Sequence, residues 1–162
     1  KAYALERAKN AGIESVVVSR KSFVDPADYD RAVVETLQSR GIELVVLAGF
    51  LSILGKPVIE AYPERILNIH PSLIPSFCGA GFYGLRVHQA ALDYGVKVTG
   101  ATVHLVNEIP DGGRILLQKA VEVLPGDTPE VLQRRVMEQA EWKLLPQAVA
   151  MLCEQLDAET GN

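Results

Sequence analysis

The sequence holds few of the residues on which disulfides, metal centres and nucleic-acid binding depend. It contains two cysteines in 162 residues. Cys78 lies in a predicted loop and Cys153 in a predicted terminal helix, an arrangement that fits neither a disulfide framework nor a thiolate metal site. Lysine and arginine (16) are outnumbered by aspartate and glutamate (20). The resulting net charge of -4 argues against a nucleic-acid partner, which needs a basic face.

Long apolar runs and a recognisable leader are also missing. No segment approaches the roughly 20 apolar residues that cross a bilayer. The first residues do not combine a basic stretch, an apolar core and a small-residue cleavage site, so nothing in them suggests secretion. We therefore expect a cytoplasmic protein with free thiols, no membrane partner and no bound metal.

Strand and helix patterns alternate through the first half of the chain. Ser15–Ser19 is a short β-branched run typical of a strand buried on both faces, and Leu44–Ala48 and Ile66–His70 are further apolar strands. A helix over Pro26–Arg40 separates the first two, which is the spacing of a βαβ unit. The fold class predicted is α/β, with a mixed, mostly parallel sheet flanked by helices.

The second half predicts an antiparallel hairpin and a long helix. Ala101–Val106 alternates apolar and polar residues, and Arg114–Val123 is its predicted partner, with Asp111 at the bend between them. Asp127-x-x-Glu130 has the form of a capping box and predicts the start of a helix. That helix places Leu132, Val136, Ala140 and Leu144 inward, with an interruption near Pro146.

Two polar side chains stand where the third strand ends. Pro71 stops the strand because it has no N–H for the ladder, and alternation places Asn68 and His70 on one side of it. Ligands collect outside the carboxyl ends of parallel strands, so this pair is a candidate site. The alternative is a histidine that caps the strand end by bonding local backbone. Asp111 is a third candidate, because an amide, an imidazole and a carboxylate suit acyl transfer to an outside nucleophile.

A glycine pattern imitates a nucleotide-binding motif. Gly79–Gly84 reads G-x-G-x-x-G, but it does not follow a strand directly and no acid stands at the expected distance. We therefore expect neither a nicotinamide nor a flavin cofactor. The glycines more simply let a loop turn before a helix over Leu85–Tyr94, in which His88 is predicted to lie at the surface without a chemical role.

Several segments resemble one family. Asn68–Pro75 followed by Asp111-Gly-Gly is similar to the signature of formyltransferases that use 10-formyltetrahydrofolate. The wider match resembles the purine-synthesis branch of that family and comprises Val45–Leu54, Gly100–His104 and Glu141–Pro146. The resemblance implies a Rossmann-like formyltransferase fold over a single domain, residues 1–162.

The start of the chain bears on that expectation. Residues 1–11 have helical composition but no capping residue before them. The family begins with a strand and a loop that binds the substrate phosphate. We therefore expect the domain to be incomplete at its N-terminus, with these elements upstream of Lys1.

The resemblance also implies roles for individual residues. Asn68, His70 and Asp111 would be catalytic. The formyl folate would be held by Leu51, Ser52, Ile53, Leu54, Asn107, Glu108, Ile109, Pro110 and Asp111. Gly49 and Glu141 would bind the ribonucleotide substrate, and Thr102 and His104 would support the trio. Ser52 stands where some members carry arginine, which leaves a side-chain contact to the folate open.

The activity implied is an enzymatic one-carbon transfer. The formyl group of 10-formyltetrahydrofolate, a cosubstrate, would pass to the amine of glycinamide ribonucleotide by direct attack through a tetrahedral intermediate. The partners expected are small molecules, and the protein would be a monomer or a homodimer. The alternatives are a hydrolase that delivers the formyl group to water, and a folate-binding domain without turnover.

Overall fold

The computed structural model describes residues 2–50 and 52–161. In chain order its elements are α1 (Tyr3–Asn10), a 3₁₀ turn (Arg20–Ser22), α2 (Pro26–Gln38), β1 (Val45–Leu47), α3 (Lys56–Ala61), β2 (Ile66–His70), α4 (Leu85–Tyr94), β3 (Val98–Leu105), β4 (Ile115–Glu122), α5 (Pro129–Val136), a wide π turn (Met137–Glu141) and α6 (Trp142–Thr160). No helix within the described ranges combines the length and the apolarity that spanning a bilayer requires.

The described strands form one mixed sheet in the order β1-β2-β3-β4. β1 pairs parallel to β2, and α3 makes the crossover between them. β3 pairs antiparallel to both β2 and β4. The predicted α/β class and the predicted hairpin are therefore confirmed.

The strand predicted at Ser15–Ser19 is not formed. The segment is irregular, and Val16 and Val17 are 46% and 69% exposed. A strand needs a neighbour for its N–H and C=O groups, and within the described residues β1 pairs only with β2. The predicted strand at Ser15–Ser19 is therefore absent from the described sheet, which has one parallel and two antiparallel pairs and so is not mostly parallel.

Two apolar clusters cover the faces of the sheet. One face of β2 and β3 packs on the C-terminal helices, through a cluster that includes Leu67, Ala101, Val103, Leu105, Leu132, Val136, Ala140 and Leu144. On the other face Ile66 packs with Leu54, Val58 and Tyr62. Since alternate residues of a strand share a face, the face of β2 that starts in this second cluster continues through Asn68 to His70.

The C-terminal helices depart from prediction at two points. Thr128 and not Asp127 caps α5, because its Oγ1 accepts from Val131 N–H at 3.3 Å. Asp127 instead accepts from Leu124 N–H at 2.8 Å and pairs with Arg135. The four residues predicted to point inward, Leu132, Val136, Ala140 and Leu144, are all buried.

The break predicted near Pro146 also lies elsewhere. The irregularity is the wide turn Met137–Glu141, where Trp142 N–H bonds to the Met137 carbonyl five residues back. Regular helix resumes at Trp142 and holds Pro146 in its interior. The departure from regular helix is thus a π turn that lies about one turn before the proline.

Candidate active site

Four polar side chains share one face of the sheet at the end of β2. In the antiparallel register Asn68 lies opposite His104, and His70 lies opposite Thr102. Residues directly opposite one another, and alternate residues along a strand, project to the same side. The apolar residues between them, such as Ile69 and Val103, pack into the core on the other side. The pairing of β2 with β3 therefore builds a two-by-two group of side chains.

Asp111 reaches this group from the loop between β3 and β4. Its Oδ2 lies 3.6 Å from His70 Nδ1, and its Oδ1 lies 3.5 Å from His104 Nε2. Gly79 N–H also donates to Oδ2 at 2.8 Å. Asp111 has a positive φ of 54°, a conformation that Asp and Asn tolerate better than most residues. The structure thus brings together the three residues predicted to be catalytic.

The charge of Asp111 is favoured by its surroundings. Burial alone would raise the pKa of this carboxyl, but the nearby imidazoles of His104 and His70 and the hydrogen bond from Gly79 N–H outweigh it. The pKa of Asp111 therefore lies below its usual value. A carboxylate held in this way stabilises positive charge on a neighbouring ring.

The amide of Asn68 is oriented by His104. The Nδ1 of His104 bonds to the Leu105 carbonyl at 2.9 Å, so in the neutral ring Nδ1 carries the proton and Nε2 is an acceptor. Asn68 Nδ2 lies 3.1 Å from that Nε2 and donates to it. One N–H of the Asn68 amide is then left for a ligand. His104 was predicted to support the trio, and its contacts fit that expectation.

His70 faces an acceptor at each ring nitrogen. Its Nε2 lies 2.8 Å from the Phe77 carbonyl, and its Nδ1 faces Asp111. Only the doubly protonated ring can donate to both oxygens. Sequence reasoning missed Phe77, because a backbone carbonyl seven residues along a loop leaves no mark in the residue pattern.

The two loops predicted to hold the folate approach each other. Lys56, which follows the first loop, has its Nζ 4.0 Å from an oxygen of Glu108 in the second. Ile53 and Ile109 are 75% and 65% exposed. Leu54 is buried against Val58, Tyr62 and Ile66. Leu51 lies outside the described residues.

The other described residues predicted for these loops are Gly49 and Ser52 in the first loop and Asn107 and Pro110 in the second. Gly49 has a positive φ of 66°, and Ser52 is exposed. In the second loop Asn107 Oδ1 accepts from Ile109 N–H at 2.9 Å, and Pro110 is exposed next to Asp111. These contacts shape the loops but leave their ligand roles as predictions.

Glu141 and Thr102 have surroundings that the sequence did not predict. Burial raises the pKa of the Glu141 carboxyl to about 7, and within the described residues it has no hydrogen bond or ion pair with the trio. Thr102 bonds the backbone of the loop after β2 rather than His70. Among the residues that the structure describes, no group of three His, Cys, Asp or Glu side chains is arranged to hold a metal ion.

His88 is not at the surface, contrary to prediction. It is fully buried on α4, and neither ring nitrogen has a hydrogen-bond partner in the described part of the chain. Burial, and secondarily the charge of His70, lower its pKa to about 4. The helical spacing of Val87 and Ala91, both buried beside it, was the sequence signal that α4 turns this side inward.

Comparison with known proteins identifies the family to which the chain belongs. The formyl transferase family matches residues 1–149. The chain is 43% identical over 152 residues to the chloroplastic phosphoribosylglycinamide formyltransferase of Arabidopsis thaliana, covering 93% of this chain and 51% of that protein. It is 40% identical to phosphoribosylglycinamide formyltransferase of Haemophilus influenzae, covering 94% of this chain and 69% of that protein.

A solved structure gives the same result. Phosphoribosylglycinamide formyltransferase from Streptococcus pneumoniae TIGR4 superimposes with a TM-score of 0.86 at 39% identity, covering 94% of this chain and 81% of that one. The chain spans about half the length of its Arabidopsis relative. Because the family match extends over most of the sequence and includes the strand end and the hairpin that carry the site, the chain belongs to the formyl transferase family.

Proposed function

We propose that this domain transfers the formyl group of 10-formyltetrahydrofolate to the amine of glycinamide ribonucleotide. The observation that carries the proposal is the convergence of Asn68, His70 and Asp111, with 3.6 Å between His70 Nδ1 and the Asp111 carboxylate. The names of the relatives support the choice of acceptor. The trio supplies donors for an oxyanion but no side-chain nucleophile, which suits direct attack by a substrate amine.

Asn68 and His70 stabilise the charge that develops during the reaction. The amine attacks the formyl carbon, and the electrons of the carbonyl bond pass to the formyl oxygen. The free N–H of Asn68 and the Nε2–H of His70 donate to that oxyanion. His70 must exchange the Phe77 carbonyl for it. A charged acceptor forms a stronger hydrogen bond than a neutral carbonyl, so the exchange favours the tetrahedral intermediate over the ground state.

Asp111 lies where its carboxylate stabilises positive charge that develops on the His70 ring. Its lowered pKa makes it a weak base, which suits a carboxylate that stabilises an imidazolium and does not itself store a proton. When the tetrahedral intermediate collapses, the bond between the formyl carbon and the folate nitrogen breaks. The proton that the amine loses ends on that nitrogen, so the reaction needs no outside proton donor.

The two loops around the site hold the folate. Ile53 in one loop and Ile109 in the other are exposed apolar side chains, suited to the faces of a pterin ring. The backbone groups of residues 49–54 and 107–111 supply the polar contacts. The exposed Lys56–Glu108 pair, 4.0 Å apart, lies between the two loops.

Glu141 contacts the ribonucleotide. A carboxyl with a pKa of about 7 is near half-protonation at neutral pH. It can therefore accept from one ribose hydroxyl or donate to another atom. Glu141 is the last residue of the wide turn Met137–Glu141, which gives its half-buried side chain a direction that a regular helix would not.

The test follows a labelled formyl group from 10-formyltetrahydrofolate. With the ribonucleotide present, the label is expected in formylglycinamide ribonucleotide, and without it the folate is expected to stay formylated. Release as formate at the same rate with or without the ribonucleotide would identify a hydrolase and contradict the proposal. Folate binding without either product would also contradict it.

A further inference from the structure

The row of side chains that contains His70 continues onto the last strand of the sheet. His70 on β2 lies opposite Thr102 on β3, and Thr102 lies opposite Gln118 on β4. Their side chains share one face of the sheet, because residues directly opposite across antiparallel strands project to the same side. Gln118 is exposed and was not predicted to belong to the site.

Thr102 and Gln118 together bind the backbone that follows β2. The fully buried hydroxyl of Thr102 donates to the Ser72 carbonyl at 2.7 Å and accepts from Ile74 N–H at 3.1 Å. The Nε2 of Gln118 donates to the Thr102 hydroxyl and to the Ile74 carbonyl, each at 3.0 Å. The hydroxyl thus has one bond donated and two accepted, which is its full capacity.

The loop that these hydrogen bonds hold contacts His70 and Asp111 near its C-terminal end. The loop, residues 71–79, leaves His70 directly, and its Phe77 carbonyl takes the hydrogen bond of His70 Nε2. Two residues later Gly79 N–H donates to Asp111. The Phe77 ring contacts Tyr94 of α4 edge-on, with 6.0 Å between centroids. A displacement of the loop would therefore move the groups that orient both His70 and Asp111.

We propose that Gln118 is a positioning residue that holds the loop 71–79, and through it the ring of His70, in the reactive geometry. The kinetic consequence rests on the proposed function, whereas the effect on the His70 ring does not. Gln118 touches the loop backbone and Thr102, and it reaches the reacting atoms only through them. Misplacing a catalytic group by ~1 Å can cost about a hundredfold in rate, so a loop contact of this kind matters to turnover.

The test compares substitutions at Gln118 with one at another glutamine. Gln118→Met keeps the length of the side chain and removes both hydrogen bonds. Gln118→Glu keeps the shape and sets a carboxylate oxygen against the Ile74 carbonyl. Gln147→Met is the matched control, because Gln147 is exposed on α6 and its side chain has no hydrogen bond among the described residues. The readouts are the ring resonances of His70 by NMR without ligands, kcat, and KM for each substrate.

Both Gln118 variants are expected to shift the His70 resonances and to lower kcat by about ten- to a hundredfold, with both KM values nearly unchanged. Gln147→Met is expected to match the wild type. A folded Gln118→Met with unchanged His70 resonances overturns the proposal, as does a shift in resonances without a fall in kcat. If the wild type transfers no formyl group, the proposed function fails, and the His70 resonances alone decide for or against Gln118.

Discussion

The amide of Asn68 and the imidazole of His104 face each other across β2 and β3, with Asn68 Nδ2 3.1 Å from His104 Nε2. His104 in turn bonds the Leu105 carbonyl through Nδ1 at 2.9 Å. The ring therefore decides which end of the Asn68 amide points toward the site. Asn68 and His104 should behave as one unit in catalysis.

This unit predicts a non-additive pair of substitutions. Asn68→Ala removes one oxyanion donor, which typically lowers kcat by about 10²- to 10³-fold. His104→Phe keeps a ring but frees the amide of Asn68 to rotate, and is expected to lower kcat less. The double variant should lose little more than Asn68→Ala alone, because both changes act on one amide. Losses that simply add would show that His104 acts independently of Asn68.

The carboxylate of Asp111 predicts a pH-dependent contribution to stability. Its pKa in the folded protein lies below the ordinary value. The folded state therefore favours the charged form, and the stabilisation is present above the ordinary pKa and is lost as the pH falls through the lowered one. Asp111→Asn should lack this contribution while keeping the backbone, since Asn also tolerates a positive φ.

The measurement for Asp111 is the free energy of unfolding from urea titrations between neutral and strongly acidic pH. The difference between wild type and Asp111→Asn should shrink as the pH falls through the folded-state pKa. Asp111→Asn should also lose most of its kcat at neutral pH while remaining folded. A constant difference in stability across this range would mean that the Asp111 charge is not stabilised by its neighbours.

His88 predicts a loss of stability in the same direction but in a higher pH range. Burial lowers its pKa from 6.5 to about 4, so the unfolded chain binds a proton that the folded protein resists. The contribution of His88 to the free energy of unfolding should therefore decrease as the pH falls below 6.5 and level off below about 4. The full loss from this group is on the order of 3 kcal/mol.

Substitution isolates that contribution. His88→Leu removes two buried ring nitrogens that lack partners in the described residues, so it should be neutral or stabilising at pH 7. The stability of His88→Leu relative to the wild type should then rise as the pH falls from 6.5 to 4. The check is the unfolding free energy of both proteins over that range. A large loss of stability for His88→Leu at pH 7 would indicate that the ring nitrogens are satisfied in solution.

The buried pair of Asp127 and Arg135 predicts a structural effect away from the site. Asp127 accepts two hydrogen bonds from Arg135, of 2.5 and 2.6 Å, and a third from Leu124 N–H. Asp127→Ala should destabilise the protein by about 1.5 to 3 kcal/mol, the range for a hydrogen bond to a charged group. Glu138→Gln, which weakens the exposed Arg134–Glu138 pair, should cost under about 1 kcal/mol. If chemical denaturation showed equal losses of unfolding free energy for the two variants, the buried pair would contribute no more to stability than the exposed one.

The sequence predicted the site where local rules sufficed. Pro71 ends a strand, alternation places Asn68 and His70 on one face, and Asp111 lies in the hairpin loop; each follows from residues within a few positions. The helix over Leu85–Tyr94 also matches the structure in both bounds. The residue type also made Asp111 a third candidate, but nothing local says that the hairpin folds back over β2, and the family resemblance implied its catalytic role.

Several of the failures involve partners distant in the sequence. Ser15–Ser19 has the residues of a strand, but pairing requires a neighbour that no local pattern reveals. The roles of Phe77 and Gly79 come from backbone atoms, whose partners depend on how the loop closes. Thr102 was predicted to support the trio, whereas its hydroxyl bonds the loop backbone and Gln118.

The central claim is that Asn68, His70 and Asp111 together transfer a formyl group from folate to a ribonucleotide amine. The most direct test is kcat for formylation of glycinamide ribonucleotide by the wild type and by His70→Ala, with folding checked by circular dichroism. The account predicts a measurable rate for the wild type and a loss of about 10²- to 10³-fold for His70→Ala. Turnover by His70→Ala at nearly the wild-type rate would contradict it.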